Sequence, residues 1–408
     1  MSAPEPNPAV AEIQGLYGPF TFSEKLLQKI WALGGFDQAA IRTESGGRIE
    51  LLSPGKWNLL AGPDFRHARW RWGDGPVVTG DVELHLRAED WHAHGHVNDR
   101  TYDGVKLHVV LFPPKPGTVT IGSNGQPIPI LALLPYLRHD LEEYAADEAV
   151  ANLANYSEIR LLELVQGTDP EELSGQWLAA AVHRWHQKRR FAEIRIGKLG
   201  WVEACHQTAM EILGYRYNRV PMLNLAGRHS LNEWRADGRL TADGLMREEG
   251  GHWARSGVRP ANAPKRRLQQ YLDWVSNVPD WPQRLLNLGT NIPVASSAGS
   301  TRQVRRDLGL RGWRMRFGAQ LCAESVGGTR LDTMICDGFL PLLSAQIGAD
   351  LQGFWYHWYP GDMPQSLNLV LRQTDCSGSE RATFCHGVVQ GLIGWLLARE
   401  ATGRSVGS

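Results

Sequence analysis

The chain has 408 residues, 42% of them hydrophobic and 21% charged, with 43 basic side chains balancing 43 acidic ones. That length accommodates two or more domains with substantial cores, and the composition excludes a disordered or fibrous chain. No apolar run approaches bilayer length, and Met1 to Val10 is polar and proline-rich without the parts of a signal peptide, so a cytoplasmic address and no membrane partner are expected.

In chain order, Ser23 followed by Leu26, Leu27, Ile30, Trp31 and Leu33 predicts a helix with Ser23 as N-cap and Gly34-Gly35 as its end. Glu24 falls in the first turn, where a carboxylate meets the helix dipole favourably. Arg42 to Ser53, interrupted at Gly46-Gly47, reads as a hairpin, and Pro54-Gly55 turns the chain onward. Phe65 to Gly73 and Val77 to Leu86 predict two strands joined at Gly73-Asp74-Gly75.

The second of these strands alternates, so Asp81, Glu83 and His85 are expected on one face and Val82, Leu84 and Leu86 on the other. Two carboxylates a pleat apart repel unless a positive group sits between them, and a hard divalent cation supplies it. An exposed strand face with solvated charges accounts for the same triplet. Antiparallel pairing across the turn is expected to bring Asp64 towards Glu83 and His85. Glu89 to Asn98 follows as a short helix or loop with His92, His94 and His96, and Val105 to Phe112 as the next strand, with Lys106 and His108. Alternating histidines suit Zn²⁺ if that segment is extended, but no cysteine or carboxylate completes a standard zinc spacing nearby, so His94 and His96 are expected to line the Asp64 and Glu83 cleft. Alone, His108 reads as a hydrogen-bonded core histidine.

Pro63-Asp64 followed by Glu83-Leu84-His85 resembles the paired motif of the PD-(D/E)xK nuclease superfamily. The resemblance implies an α+β restriction-endonuclease-like core of helix, three strands, helix and strand. It also implies Mg²⁺ or Mn²⁺ held by Asp64 and Glu83, with Asp81 as an additional carboxylate, and Glu24 as an occasional first-helix contributor. His85 stands where that superfamily has a lysine that positions the attacking water. A neutral imidazole accepts a proton near neutral pH, and Lys106 is the candidate for a displaced lysine. At whole-chain level, Gly62-Pro63-Asp64-Phe65, Gly80-Asp81-Val82-Glu83-Leu84-His85, Trp91 with His94-Gly95-His96, Leu107-His108-Val109-Val110, Leu213-Gly214-Tyr215 with Asn218, and Arg259-Pro260-Ala261-Asn262 resemble a bacterial family known only as domain of unknown function 2851.

Thr118 to Ile121 and Pro127 to Leu133 predict a further hairpin, and charged helical sequence from Arg138 to Val150 marks a boundary between a domain at 18–137 and a mainly helical one at 150–408. In the latter, Trp201 to Leu213 and Leu268 to Val275 follow a helical period, Ala295 to Ser300 reads as a loop or linker, Ala382 to Arg399 as a final amphipathic helix, and Gly403 to Ser408 as a frayed end. The five cysteines, without a Cys-x-x-Cys, read as reduced and mostly buried.

Residues 1–150 hold 13 basic and 19 acidic side chains, and the remainder 30 and 24. An acidic front half suits a metal and a basic back half suits DNA or RNA, although chance segregation gives the same balance. Basic residues cluster with aromatic ones at Arg184 to Arg190, Arg259 to Arg267 and Arg302 to Arg316, making Arg189, Arg190, Arg259, Lys265, Arg266 and Arg267 candidate nucleic-acid contacts. Solvated helix faces and core tryptophans account for these clusters equally. The expected function is therefore a metal-dependent nuclease with Asp64, Glu83 and His85 as catalytic residues. A non-catalytic nucleic-acid-binding or scaffold protein on a degenerate nuclease core and a zinc hydrolase are the alternatives.

Overall fold

A computed structural model of the chain describes residues 12–14, 21–153, 155–166, 169–236, 238–255, 258, 260–363, 365–373 and 384–405. Arg259 and Cys376, both singled out above, lie outside the described residues, as do residues 18–20, 382–383 and 406–408. The chain divides into two compact units, Met1–Glu148 and Ala149–Ser408.

The amino-terminal unit begins with a short antiparallel pair, β1 (Glu12–Gln14) and β2 (Thr21–Ser23), which leads into helix α1 (Glu24–Leu33). The Ser23 side chain accepts the Leu26 N–H, and Gly34, at φ 68°, takes the left-handed conformation that returns its N–H to the Ile30 and Trp31 carbonyls. A non-glycine residue pays for that conformation, which is why the helix stops there. Leu26, Leu27, Ile30 and Trp31 form its buried stripe.

The main sheet is built from β3 (Ile49–Ser53), β4 (Lys56–Trp57), β5 (Phe65–Trp72), β6 (Val77–His85), β7 (Val105–Val110) and, from further along the chain, Ile130–Ala132. β3, β5 and β6 pair antiparallel in that order, β7 lies parallel to β6, and Ile130–Ala132 lies parallel to β7; β4 pairs with β5 alone. The turn between β5 and β6 closes as expected, with Gly73 at φ 55° and Gly75 donating to the Trp72 carbonyl. A parallel step needs a crossover, and here it is the segment between β6 and β7. It contains the short helix α2 (Asp90–Ala93) and two 3₁₀ turns, His96–Asn98 and Arg100–Tyr102.

Three local expectations change. The strand after Pro127 divides: Thr120–Ile121 pairs with Pro127–Ile128 as a small hairpin, while Ile130–Ala132 leaves it to extend the main sheet beside β7. Its residues are all buried although it is the edge strand of that sheet, and on its outer side the Ile130 carbonyl accepts the Glu44 N–H at 2.9 Å. Leu84 and Glu83 are both buried, so the second half of β6 has no solvent face. Finally, β7 carries one extra residue, Lys106, between the partners of Asp81 and Val82, a bulge that interrupts the ladder beside Asp81.

The unit Ala149–Ser408 is helical in all its described regular segments. Its long helix, Pro170–Leu199, is started by Asp169, whose carboxylate accepts the Glu171 and Glu172 N–H groups. The carboxy-terminal helix, His386–Ser405, is more buried than an amphipathic surface helix and continues past Gly403 to Ser405. It lies against the long helix through Gly391, where a Cβ would run into the Trp177 carbonyl oxygen. Ala295 to Ser300 is not a linker but a packed loop: a Cβ on Gly353 would clash with the Ala295 carbonyl, and His357 Nε2 donates to the Ser296 carbonyl at 3.1 Å. The core gathers around Tyr271, Trp274, Trp281 and Phe339. Cys205, Cys322, Cys336 and Cys385 are buried and free.

Candidate metal centre

Four histidines and three carboxylates meet at the carboxyl end of β6. Glu83 and His85 arrive on β6 itself, and His108 on β7, where its register partner is Glu83. His94 and His96 come from the crossover. The turn there is helical rather than extended, and Gly95, at φ 75°, reverses the chain between the two histidines. That reversal, not strand alternation, turns both rings inward, and it leaves His92 exposed. His96 stacks on Tyr102 at 3.9 Å between ring centroids, and His85 lies edge-on to Trp91.

One ligand-capable nitrogen from each of His85, His94 and His96 lies within 4.8 Å of the others. Glu83 Oε1 is 3.4 Å from His96 Nε2 and 3.7 Å from His85 Nε2. His96 Nε2 and Glu24 Oε1 are buried with no hydrogen-bond partner among the described residues. Buried polar atoms are rarely left so, and these two belong to the same set of histidines and carboxylates.

Asp64 is locked to the neighbouring strand. Glu83 Oε2 accepts its backbone N–H at 2.9 Å, and its own Oδ2 accepts the Leu84 N–H at 3.0 Å. Gln28, one helical turn beyond Glu24 on α1, donates to Asp64 Oδ1 at 2.7 Å. Sequence reasoning missed Gln28, although its i+4 spacing from Glu24 places both on one helix face.

Burial, with Asp64 and Asp90 nearby, raises the Glu24 carboxyl to about 7. Burial and Glu83 raise Asp64 to about 7 against its hydrogen bonds from Leu84 and Gln28, and burial raises Glu83 to about 8. The histidines move the other way. Burial, followed by the neighbouring rings of His108, His94 and His96, holds His85 well below the usual range, and burial takes His108 to about 3. His94 and His96 are lowered chiefly by burial, with Asp64 opposing the shift at His96. Among the described residues, the cluster thus pairs neutral imidazoles with carboxyls that have no lysine or arginine against them. A divalent ion satisfies both at once.

Two expected members are elsewhere. At the bulge, Asp81 turns its Oδ1 to the His67 N–H at 3.0 Å, so it is spent on β5 rather than on a cation. Lys106 is the extra residue of the β7 bulge, lies over Gly80 and donates to the Thr79 carbonyl at 2.9 Å, so it does not replace the absent lysine. Of the basic candidates, Arg267 is 8% exposed and bound to Asn262 and Gln270, so it braces its own helix and offers no surface to a polyanion. Arg189 pairs with Glu193 and Lys265 with Asp243, both at partly exposed positions; Arg190 is half-buried and Arg266 exposed. Arg184 and Arg305, from the same clusters, are bound to Gln390 and to the His357, Trp358 and Phe384 carbonyls.

Fold and site together define an α+β protein with a buried histidine–carboxylate cluster on its mixed sheet and a mainly helical second unit. The chain belongs to the family of proteins of unknown function DUF2851, which matches residues 24–243 and so takes in Glu24, Asp64, Glu83 and all four histidines. No curated protein and no solved structure matches it. No helix among the described residues is long and apolar enough to cross a membrane.

Proposed function

We propose that this protein is a divalent-metal-dependent phosphodiesterase acting on DNA or RNA, with Glu83, His85, His94 and His96 as the cation's ligands and Asp64 and Glu24 beside it. The observation that carries the reading is the grouping of one nitrogen from each of His85, His94 and His96 within 4.8 Å of one another, with Glu83 Oε1 at 3.7 Å from His85 Nε2 and 3.4 Å from His96 Nε2, the latter unpartnered. The phosphodiester part is supported by the order of elements. Helix α1, the antiparallel β3, β5 and β6, a crossover and the parallel β7 follow the helix, three-strand, helix, strand arrangement of the PD-(D/E)xK nucleases.

The donor set shifts the choice of ion. Mg²⁺ keeps to oxygen and water, whereas an imidazole-rich site suits Zn²⁺, with Mn²⁺ drawn to the carboxylate part of the set. A bound divalent ion would polarise the phosphate and acidify water. His85 is 1% exposed and its Nδ1 is tied to His108, so its one remaining nitrogen, Nε2, would serve the ion once the His94 link yields, and none is left to activate water. Glu24, with an unpartnered Oε1, is the carboxyl placed to take a proton.

Calorimetric titration of chelator-treated protein with Mn²⁺ and with Zn²⁺ tests the centre. One saturable equivalent is expected in the wild type and none in Glu83→Gln. Cleavage of single-stranded DNA, RNA and bis(p-nitrophenyl) phosphate in the loaded protein tests the chemistry, and Asp64→Asn should abolish it. A wild type that takes up neither ion, or an Asp64→Asn variant that cuts at full rate, would reject the reading. A second reading, a non-catalytic nucleic-acid-binding protein, is favoured by Asp64, whose two carboxylate oxygens are already engaged by Gln28 and Leu84. It predicts metal uptake and DNA or RNA binding with no cleavage of any of the three substrates.

A further inference from the structure

The histidines form a continuous hydrogen-bonded chain that ends away from the cation site. His94 Nδ1 meets His85 Nε2 at 3.1 Å, His85 Nδ1 meets His108 Nε2 at 2.9 Å, and His108 Nδ1 meets the Thr120 hydroxyl at 2.8 Å. His85, His108 and Thr120 are each no more than 1% exposed. A neutral imidazole has one N–H and one lone pair, so each ring must donate on one side and accept on the other. Burial disfavours the charged form of both inner rings.

Only two polarities satisfy every link. In one, Thr120 donates to His108 Nδ1, His108 Nε2–H donates to His85 Nδ1, and His85 Nε2–H donates to His94. In the other, every proton points back: His94 donates to His85 Nε2, His85 Nδ1–H donates to His108 Nε2, and His108 Nδ1–H donates to the Thr120 oxygen. The first puts a proton where a cation would need a lone pair. The second presents His85 Nε2 bare towards Glu83 and His96, with only the His94 link to yield when an ion arrives.

We infer that His108 and Thr120 are positioning residues that lock His85 in the Nδ1–H tautomer, so that Thr120, on the small hairpin, is the terminal acceptor that makes His85 Nε2 a ligand. The inference rests on the metal reading above. It also assigns a role to Thr120, a residue with no signal in the sequence. Outer partners of metal-bound histidines fix ring orientation and typically change metal affinity by about ten- to a hundredfold when removed.

The test uses full-length protein with ¹⁵N-labelled histidine and diamagnetic Zn²⁺. Long-range ¹H–¹⁵N spectra of the loaded wild type should show the proton on Nδ1 of both His85 and His108. Thr120→Val removes the acceptor at nearly constant volume and should weaken Zn²⁺ binding by about tenfold or more, while Thr120→Ser should restore it. Equal affinity in all three proteins, or a loaded His108 protonated on Nε2, overturns the inference while leaving the metal reading intact. A wild type that binds no Zn²⁺ or Mn²⁺ rejects the metal reading, and the lock with it. In the metal-free protein, whichever polarity holds, His85 and His108 must carry their protons on the same-named nitrogen, and opposite tautomers in the two rings overturn the chain itself.

Discussion

Glu83 has two oxygens with different tasks. Oε2 accepts the Asp64 N–H and so ties β6 to the chain entering β5, while Oε1 faces His85 and His96. The first task needs only an acceptor, and the second needs charge. Burying a carboxylate without a cation costs free energy that a neutral amide avoids. Chelated Glu83→Gln protein should therefore melt at or a few degrees above chelated wild type, whereas wild type alone should gain on adding Mn²⁺ or Zn²⁺. Scanning fluorimetry with and without chelator reads both effects. A Glu83→Gln variant that melts well below the chelated wild type would mean that the carboxylate is structural. Residue-scale signals in the sequence were uneven. Pro63-Asp64 and Glu83-x-His85 were legible as a pair because both sit at strand ends joined by a short turn. Gln28 and Thr120 were not, since an amide and a hydroxyl carry no chemistry of their own until a carboxylate or an imidazole is placed against them.

At the scale of elements, the parts read correctly were those whose signal is local. Ser23 and Gly34 bound α1, and Gly73-Asp74-Gly75 closes the hairpin between β5 and β6 because those backbones need a cap and a positive φ. What was missed depends on neighbours far along the chain: the irregularities of β5 and β7 beside which Asp81 and Lys106 are engaged outside the site, the transfer of Ile130–Ala132 to the main sheet, and the burial of the carboxy-terminal helix. The last was hidden because Gly387, Gly391 and Gly394 read as weak helix formers, although each lies where another element packs closely. Gly391→Ala gains helix propensity but drives a methyl into the Trp177 carbonyl. Since that obstacle is backbone, overpacking should win, and the variant should lose about 1–3 kcal/mol in urea unfolding. A more stable variant would show that the two helices are not in contact at this glycine.

At the scale of the whole molecule, buried neutral histidines set the acid limit of the helical unit. His206, bonded to the Tyr271 hydroxyl at 2.7 Å and to the His229 carbonyl at 3.0 Å, is pushed by burial down to about 3, and His386 to about 4. Their unfolded counterparts take a proton near 6.5. Between that value and the folded ones the unfolded chain binds more protons, so their contribution to stability is complete above about pH 6.5 and is lost as pH falls. Each should contribute a slope approaching 1.4 kcal/mol per pH unit across that window. His206→Gln, which keeps a donor for the His229 carbonyl, should flatten the fall in stability between pH 6 and pH 4; an unchanged slope would mean that His206 is already charged in the folded protein. Taken alone, the sequence determined the class of elements in each half, the caps and turns that bound them, and the pairing of Pro63-Asp64 with Glu83-x-His85, because each depends on contacts within a turn or across one hairpin. Tertiary structure alone decided which groups meet. An irregularity in β5 gave Asp81 the His67 N–H, a left-handed Gly95 turned His94 and His96 inward, and the parallel register of β7 set His108 beside His85, and no spacing along the chain encodes those placements.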